Sequence, residues 1–272
     1  MREKHFFGRP WTFSLSALVI IALTLCACGR KGSNATAEDA NEKPPAAPER
    51  TAITYYGQGT FLFVDDDLRV VIAPHDDRVG YPMEEISADV VLSRDDPAAG
   101  EQAKAVKGNP QIIDKPGKHE VKGVTFRAIE ATRAKPGAEP EKDMIYCFKL
   151  KDVNYCHLGG LGAKLSDQQV KEIGPVDVVM VPVGGGYTLD AKQAWAAVEQ
   201  LNAMLILPTH YRTEKTKAEL GLETLDPFLE TAAEKDSEGK PKALVNRGMQ
   251  TMMMSPAGVP TAIRIIYVLK PW

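Results

Sequence analysis

The sequence predicts an α/β domain in which two β-sheets pack together with helices on the outside. Three observations predict it. The folded part opens with short runs of branched and aromatic residues separated by turn residues. From Ser166 onward, strand-like and helix-like patterns alternate. Within that second half, residues 176–181 are apolar almost throughout, as a strand covered on both faces must be.

The opening strands are predicted over residues 53–56, 60–64 and 69–72, with Gly57-Gln58-Gly59 and Asp65-Asp66-Asp67 as the turns between them. Further strands are predicted over 90–92, 111–113, 124–129, 145–150 and 154–157. Ser166 reads as the N-cap of a short helix over 167–173, because a hydroxyl there can accept an otherwise orphaned helical N–H. The apolar strand over 176–181 then runs into a loop, Pro182-Val183-Gly184-Gly185-Gly186. Thr188 reads as the cap of the next helix, whose apolar face is Ala191, Ala194, Trp195, Val198 and Leu201 at helical spacing. A strand over 204–207, a helix near 227–234 in an otherwise charged stretch, and a final strand over 262–269 complete the domain. Met252-Met253-Met254 reads as core or interface filler rather than a metal relay.

Ahead of the domain, residues 1–28 read as a targeting segment. Arg2, Lys4 and Arg9 make a cationic start, and the apolar run over 15–25 is shorter than a spanning helix needs. The run ends in Leu25-Cys26-Ala27-Cys28-Gly29, which resembles a bacterial lipobox with Cys28 as the acylated residue. An ordinary secretory cleavage nearby is the plainer alternative. The expected location is the cell envelope, as a membrane-anchored lipoprotein on the extracytoplasmic side. Residues 29–50 are rich in Lys, Ala, Glu, Pro and Asn and bury too little apolar surface to offset their ordering entropy, so they read as a flexible linker. Residues 51–272 are long enough for one well-buried domain.

The chain carries 33 Lys and Arg against 36 Asp and Glu, a formal net charge of −3. With no basic stripe, a nucleic-acid partner is not expected. The partners expected are the membrane, through a lipid anchor, and a small anion or another envelope protein. Outside the targeting segment there are two cysteines, Cys147 and Cys156, flanking a turn near Lys151-Asp152-Val153. They stand directly opposite one another if Lys151-Asp152 forms the loop. An export compartment permits a disulfide, and buried free thiols are equally ordinary, so both states stay open.

An ordered series of motifs carries a family resemblance. Ile53-Thr54-Tyr55-Tyr56-Gly57-Gln58-Gly59-Thr60 comes first, and Cys156-His157-Leu158-Gly159-Gly160-Leu161-Gly162 follows. Gly174-Pro175-Val176-Asp177-Val178, Pro182 through Ala191, and Pro208-Thr209-His210-Tyr211 complete it. Over nearly all of residues 51–272 this series is similar to the metal-dependent hydrolases of the metallo-β-lactamase fold. The resemblance implies a four-layer αββα sandwich of two mixed sheets with outer helices. It also implies a pair of divalent ions, held by imidazoles and carboxylates, that acidify a bridging water.

The ligand positions depart from that pattern. The segment Val90 to Gly100 matches the loop that carries H-x-H-x-D-H in the family, and the corresponding residues are Arg94, Asp96, Ala98 and Ala99. The next ligand histidine is matched by Arg133, and the bridging aspartate by Gly160. His210 stands at the last ligand position, while His157 precedes the bridging position and is not a ligand in the family. Guanidinium, methyl and hydrogen donate no electron pair to zinc. The departure therefore implies a lost metal site, with no cofactor expected. Arg94 and Arg133 would project into the old metal cavity and pair with Asp95 or Asp96.

Three functions follow from this pattern. The first is a catalytically degenerate, lipid-anchored binding or scaffold protein. The second is a hydrolase with a rearranged mononuclear site, zinc or another divalent metal held by Asp96 and His210. The third is an anion-binding module that uses Arg94, Arg133 and His210. His75 and His119, in turn-rich contexts, read as solvated. The triple glycine at 184–186 lacks the Lys-Ser/Thr of a phosphate loop, and Ser93 lacks the G-x-S-x-G setting of a serine hydrolase.

Overall fold

A computed structural model describes residues 49–271, apart from 76–78, 82–84, 95–96, 135–136, 138, 236–237 and 249. The targeting segment with Cys28, nearly all of the linker, and Asp95 and Asp96 therefore lie outside the described residues.

Two mixed sheets face each other. The first has six strands: β1 (Thr51–Gly57), β2 (Thr60–Asp65), β3 (Leu68–Ile72), β4 (Val90–Leu92), β5 (Gln111–Ile113) and β13 (Thr251–Met254), in the order β13-β1-β2-β3-β4-β5. The second has eight. Its antiparallel side holds β6 (Gly117–Val121), β7 (Val124–Arg133), β8 (Glu141–Leu150) and β9 (Val153–His157). Its parallel side holds β10 (Val178–Pro182), β11 (Leu205–Thr209), β14 (Arg264–Val268) and β12 (Ala243–Arg247). The order is β12-β14-β11-β10-β9-β8-β7-β6.

Three apolar layers separate the four structural ones. Phe61, Phe63, Val70, Phe126, Phe148 and Tyr155 fill the space between the sheets, with Phe63 edge-on to both Phe148 and Tyr155 at 5.1 Å between ring centroids. Such aromatic pairs bury large areas and favour edge-to-face geometry. On the outer face of the eight-stranded sheet, Val179, Val181 and Ile206 pack against α2 (Asp167–Ile173), α3 (Ala191–Leu201) and α4 (Asp226–Ala233) through Ile173, Trp195 and Phe228. On the outer face of the six-stranded sheet, Val71 and Val91 pack against α1 (Pro97–Ala105) through Ala103. The architecture is the four-layer αββα sandwich.

Local chemistry explains the element ends. Ser166 caps α2 with a reciprocal capping box, its hydroxyl accepting from the Gln169 backbone while the Gln169 side chain accepts from the Ser166 N–H. Helix α3 corrects one expectation: its cap is Asp190, boxed with Gln193, not Thr188. The Thr188 hydroxyl instead donates to the Gly185 carbonyl inside the preceding loop. Met252 and Met254 are buried on the edge strand β13, while Met253 points out. The β8–β9 hairpin turns on Lys151-Asp152, both at positive φ, which places Cys147 directly opposite Cys156. Their sulfurs stand 3.5 Å apart as free thiols.

Candidate functional site

Several loops converge on one end of the sandwich. The β1–β2 turn, Gln58-Gly59, is held from both sides: the Tyr55 hydroxyl and the His210 backbone N–H both donate to the Gln58 carbonyl, each at 3.0 Å. His210 follows β11 at φ +50°. Its ring lies so close to the turn that a Cβ at Gly59 would come within 2.5 Å of His210 Cε1, which is why this position needs glycine. The loop after β4 is tied down by the Tyr146 hydroxyl, which donates to the carbonyls of Ser93 and Ile113. Arg133 ends β7, and the next residue, Ala134, donates to the Tyr187 carbonyl at 2.9 Å, joining that strand end to the glycine-rich loop after β10.

Between these loops lies a cleft of about 460 Å³ lined by Arg94, Arg133, Ala98, Ala99, Tyr187 and His210. Five of the positions matched to the family's metal site, Arg94, Ala98, Ala99, Arg133 and His210, are thus brought together. Gly160 is adjacent, a Cβ built on it lying 3.9 Å from Arg133 Cβ. The expectations for Asp96, and for Asp95 as an arginine partner, fall outside the described residues. Among the described residues, Arg133 pairs with Glu141, directly across from it in the β7–β8 register: Nε donates to Glu141 Oε2 at 2.8 Å, and a terminal guanidinium nitrogen donates to the same oxygen. The guanidinium carbon of Arg133 lies 6.0 Å from the centre of the Tyr187 ring, where a cation meets the ring's negative face.

His75 is a correction. It is buried rather than solvated, its Nδ1 lies 2.6 Å from the Thr60 hydroxyl, and it lines the same cleft. His119 is half-buried and bonds through Nε2 to the Lys115 carbonyl. His157 is wholly buried behind the cleft. Its Nε2 lies 2.8 Å from the Gly59 carbonyl and its Nδ1 accepts from the Gly159 N–H at 3.0 Å, so the ring is neutral with its proton on Nε2. Burial pushes its pKa down to about 4. His210 is pushed down to about 3, first by burial and then by neighbouring positive charge, including Arg94 and Arg133.

A carboxylate that sequence reasoning missed lies beside Gly160. Asp143 on β8 is buried and accepts from the backbone N–H groups of Met144, at 2.7 Å, and of Gly160, at 3.3 Å. Burial raises its pKa, against the opposing pull of Arg94 and Arg133. The sequence carries little signal for it, because Asp143 closes the charged start of β8, Glu141-Lys142-Asp143, and only the apolar run Met144 through Phe148 follows.

The described residues of the cleft do not supply the donors of a dinuclear metal centre. Among the described residues, no group of three or more His, Cys, Asp or Glu side chains gathers around a common point. His157 already uses both ring nitrogens within the protein, and the Asp143 carboxylate is bonded to the backbone amides of Met144 and Gly160.

Two facing mixed sheets with outer helices, and a cleft at the loop ends, define the metallo-β-lactamase class of fold. Residues 52–210 match the Beta-lactamase superfamily domain, and the chain belongs to that superfamily, within its metal-dependent hydrolase families. A Thermotoga maritima protein of the superfamily, described as a Zn-dependent hydrolase, has a solved structure that superposes with a TM-score of 0.64 at 30% identity. The match covers 80% of this chain and 98% of that one. A UPF0173 metal-dependent hydrolase of Pyrococcus abyssi is 30% identical over 156 residues, covering 56% of this chain and 69% of the relative. A UPF0173 relative from Carboxydothermus hydrogenoformans is 39% identical over 57 residues, covering 21% of this chain and 25% of the relative. That short match is typical of the first curated relatives, of which the chain spans between 25% and 31%.

Proposed function

We propose that this superfamily member has exchanged its dinuclear metal centre for an anion-binding cleft, and that it acts as a binding protein tethered to the cell envelope. One observation carries the reading. Arg94, from the loop after β4 in one sheet, and Arg133, from the end of β7 in the other, line a single cleft with His210. Fixed guanidinium groups supply positive charge and paired N–H donors where the fold otherwise places metal. His210, held neutral, contributes a hydrogen-bonding ring rather than charge. Calorimetric titration of the full-length chain with phosphate, sulfate and acetate tests the reading. Arg94→Ala and Arg133→Ala should each weaken binding about tenfold or more, as loss of a charge-assisted pair does. Equal or absent binding across the three proteins overturns it.

The tether is proposed to be lipid on Cys28, on the strength of the lipobox-like Leu25-Cys26-Ala27-Cys28. Two or three acyl chains anchor stably where one is marginal. The mass of the membrane-extracted chain should correspond to an acylated N-terminal Cys28. An unacylated chain starting elsewhere removes the anchor.

A second reading, a mononuclear metal hydrolase, is favoured by the names of the relatives and by His75, which lines the cleft together with His210. A catalytic zinc usually has three protein ligands, and Asp96, the third donor that the sequence offers, lies outside the described residues. One equivalent of tightly held metal, lost on His210→Ala, would decide for it.

A further inference from the structure

We infer that the cleft takes an organic anion with an apolar body, of the class of short- and medium-chain monocarboxylates, rather than a bare inorganic oxyanion. This rests on the anion-site reading above and specifies its ligand.

The first argument is size. At about 460 Å³ the cleft falls within the range of roughly 300–1,000 Å³ typical of organic-ligand sites. An inorganic oxyanion held by Arg94 and Arg133 would leave most of that space unused.

The second argument is the chemistry of the walls. The guanidinium groups share the cleft with an apolar lining of Ala73, Pro74, Val79, Ala98, Ala99 and Leu220. Ala98 and Ala99 are the two positions where the family motif carries an Asp-His pair, and here they present methyl groups on the first turn of α1. A phosphate or sulfate carries charged oxygens on every side, and those turned toward methyl groups would be desolvated without a partner. A carboxylate has both oxygens at one end, which suits the paired N–H donors of a guanidinium. Its hydrocarbon end can then cover the apolar wall. Glu141 engages Arg133 through a single oxygen, whereas a guanidinium has five N–H groups, so that ion pair is compatible with a second acceptor on Arg133.

The test is calorimetric titration of the full-length chain with acetate, butanoate and hexanoate, with phosphate and hexanol as controls. A fully buried methylene improves affinity about fourfold, so hexanoate should bind at least about tenfold more tightly than acetate. Leu220→Asn, which replaces part of the apolar wall with an uncharged polar group, should weaken hexanoate about tenfold and acetate by much less, so that the gain from acetate to hexanoate shrinks. Its melting temperature checks that the variant folds, and the chain-length series on the parent protein needs no variant. Acetate and phosphate binding that Arg133→Ala weakens, with no gain along the series, overturns this inference and leaves the anion site standing. Hexanol binding as tightly as hexanoate, or no binding by any anion, overturns the anion site and this inference together.

Discussion

Asp143 lies against the backbone of Gly160. Its Oδ2 accepts from the Gly160 N–H at 3.3 Å, and a Cβ built at Gly160 would approach that oxygen to 2.9 Å. Residue 160, which the sequence resemblance matches to the family's bridging aspartate, thus has no side chain, and a carboxylate delivered from β8 lies beside it. The two residues depend on each other: Asp143 fits because residue 160 has no side chain, and a Cβ at residue 160 would crowd Asp143.

Gly160→Asp should consequently fail as a simple reversion. It forces a second carboxylate against a buried one, at an expected cost of about 2–4 kcal/mol. Adding Asp143→Ala should recover part of that loss, since neighbouring residues couple. Urea unfolding of both variants measures the effect. A Gly160→Asp protein as stable as its parent would show that Asp143 moves aside without cost.

His157 should make the domain acid-sensitive. The unfolded imidazole binds a proton below about 6.5, whereas the folded one resists until about 4. The unfolded state thus binds more protons between those values, and stability falls as pH falls through that window. Its contribution is complete above about pH 6.5, and roughly 2 kcal/mol of it should be gone by pH 5. His210, pushed down to about 3, acts in the same direction. Asp143, with its pKa raised, acts in the opposite one, favouring the folded state at low pH. Urea unfolding at pH 7 and pH 5 should show a smaller difference for His157→Gln than for the parent. An unchanged difference would mean that His157 does not carry the effect.

The elements legible in the sequence were those with a strong apolar signal. The β2, β4, β10 and α3 patterns announce themselves because one or both of their faces are buried. The elements that sequence reasoning missed have weak signals for physical reasons. Helix α1 is Pro97-Ala98-Ala99-Gly100-Glu101-Gln102-Ala103-Lys104-Ala105, whose small residues make no stripe of large apolar side chains. Strands β6 and β12 are sheet edges and mostly exposed, so neither shows a clean alternation. The cap of α3 was legible and misplaced, because Asp190 and Gln193 already spell a capping box. In the site, motif order located Arg94, Arg133 and His210. The partner of Arg133 needed the β7–β8 register, and the approach of Asp143 to Gly160 needed the path of the chain after β9. No local pattern encodes either.

The two cysteines should behave as inert thiols in the folded domain. Both are buried, and burial raises the Cys156 thiol well above its usual range, so little thiolate is present to react. Iodoacetamide should leave both unmodified under native conditions and label both in urea without reductant. Labelling in urea only after reduction would show that the cross-strand pair is oxidised to a disulfide.

The melting temperature of the domain should not respond to metal. A ligand stabilises a protein only to the extent that it binds the folded state. Tight zinc binding would raise stability by several kcal/mol at a thousandfold excess over Kd, a shift of many degrees for a domain of this size. Against such binding stands the donor set. Arg94, Ala98, Ala99, Arg133 and Gly160 supply no electron pair suited to zinc. His157 is committed to Gly59 and Gly159, and Asp143 to the backbone amides of Met144 and Gly160. Arg94 and Arg133 also line the cleft, where their charge opposes that of a dication. Thermal unfolding with chelator, without additions, and with excess zinc should therefore give the same midpoint. A midpoint that drops with chelator and recovers with zinc would favour the mononuclear hydrolase. The decisive companion is then His75→Ala beside His210→Ala, since a metal held by both imidazoles is lost in each variant, whereas an adventitious surface ion survives in both.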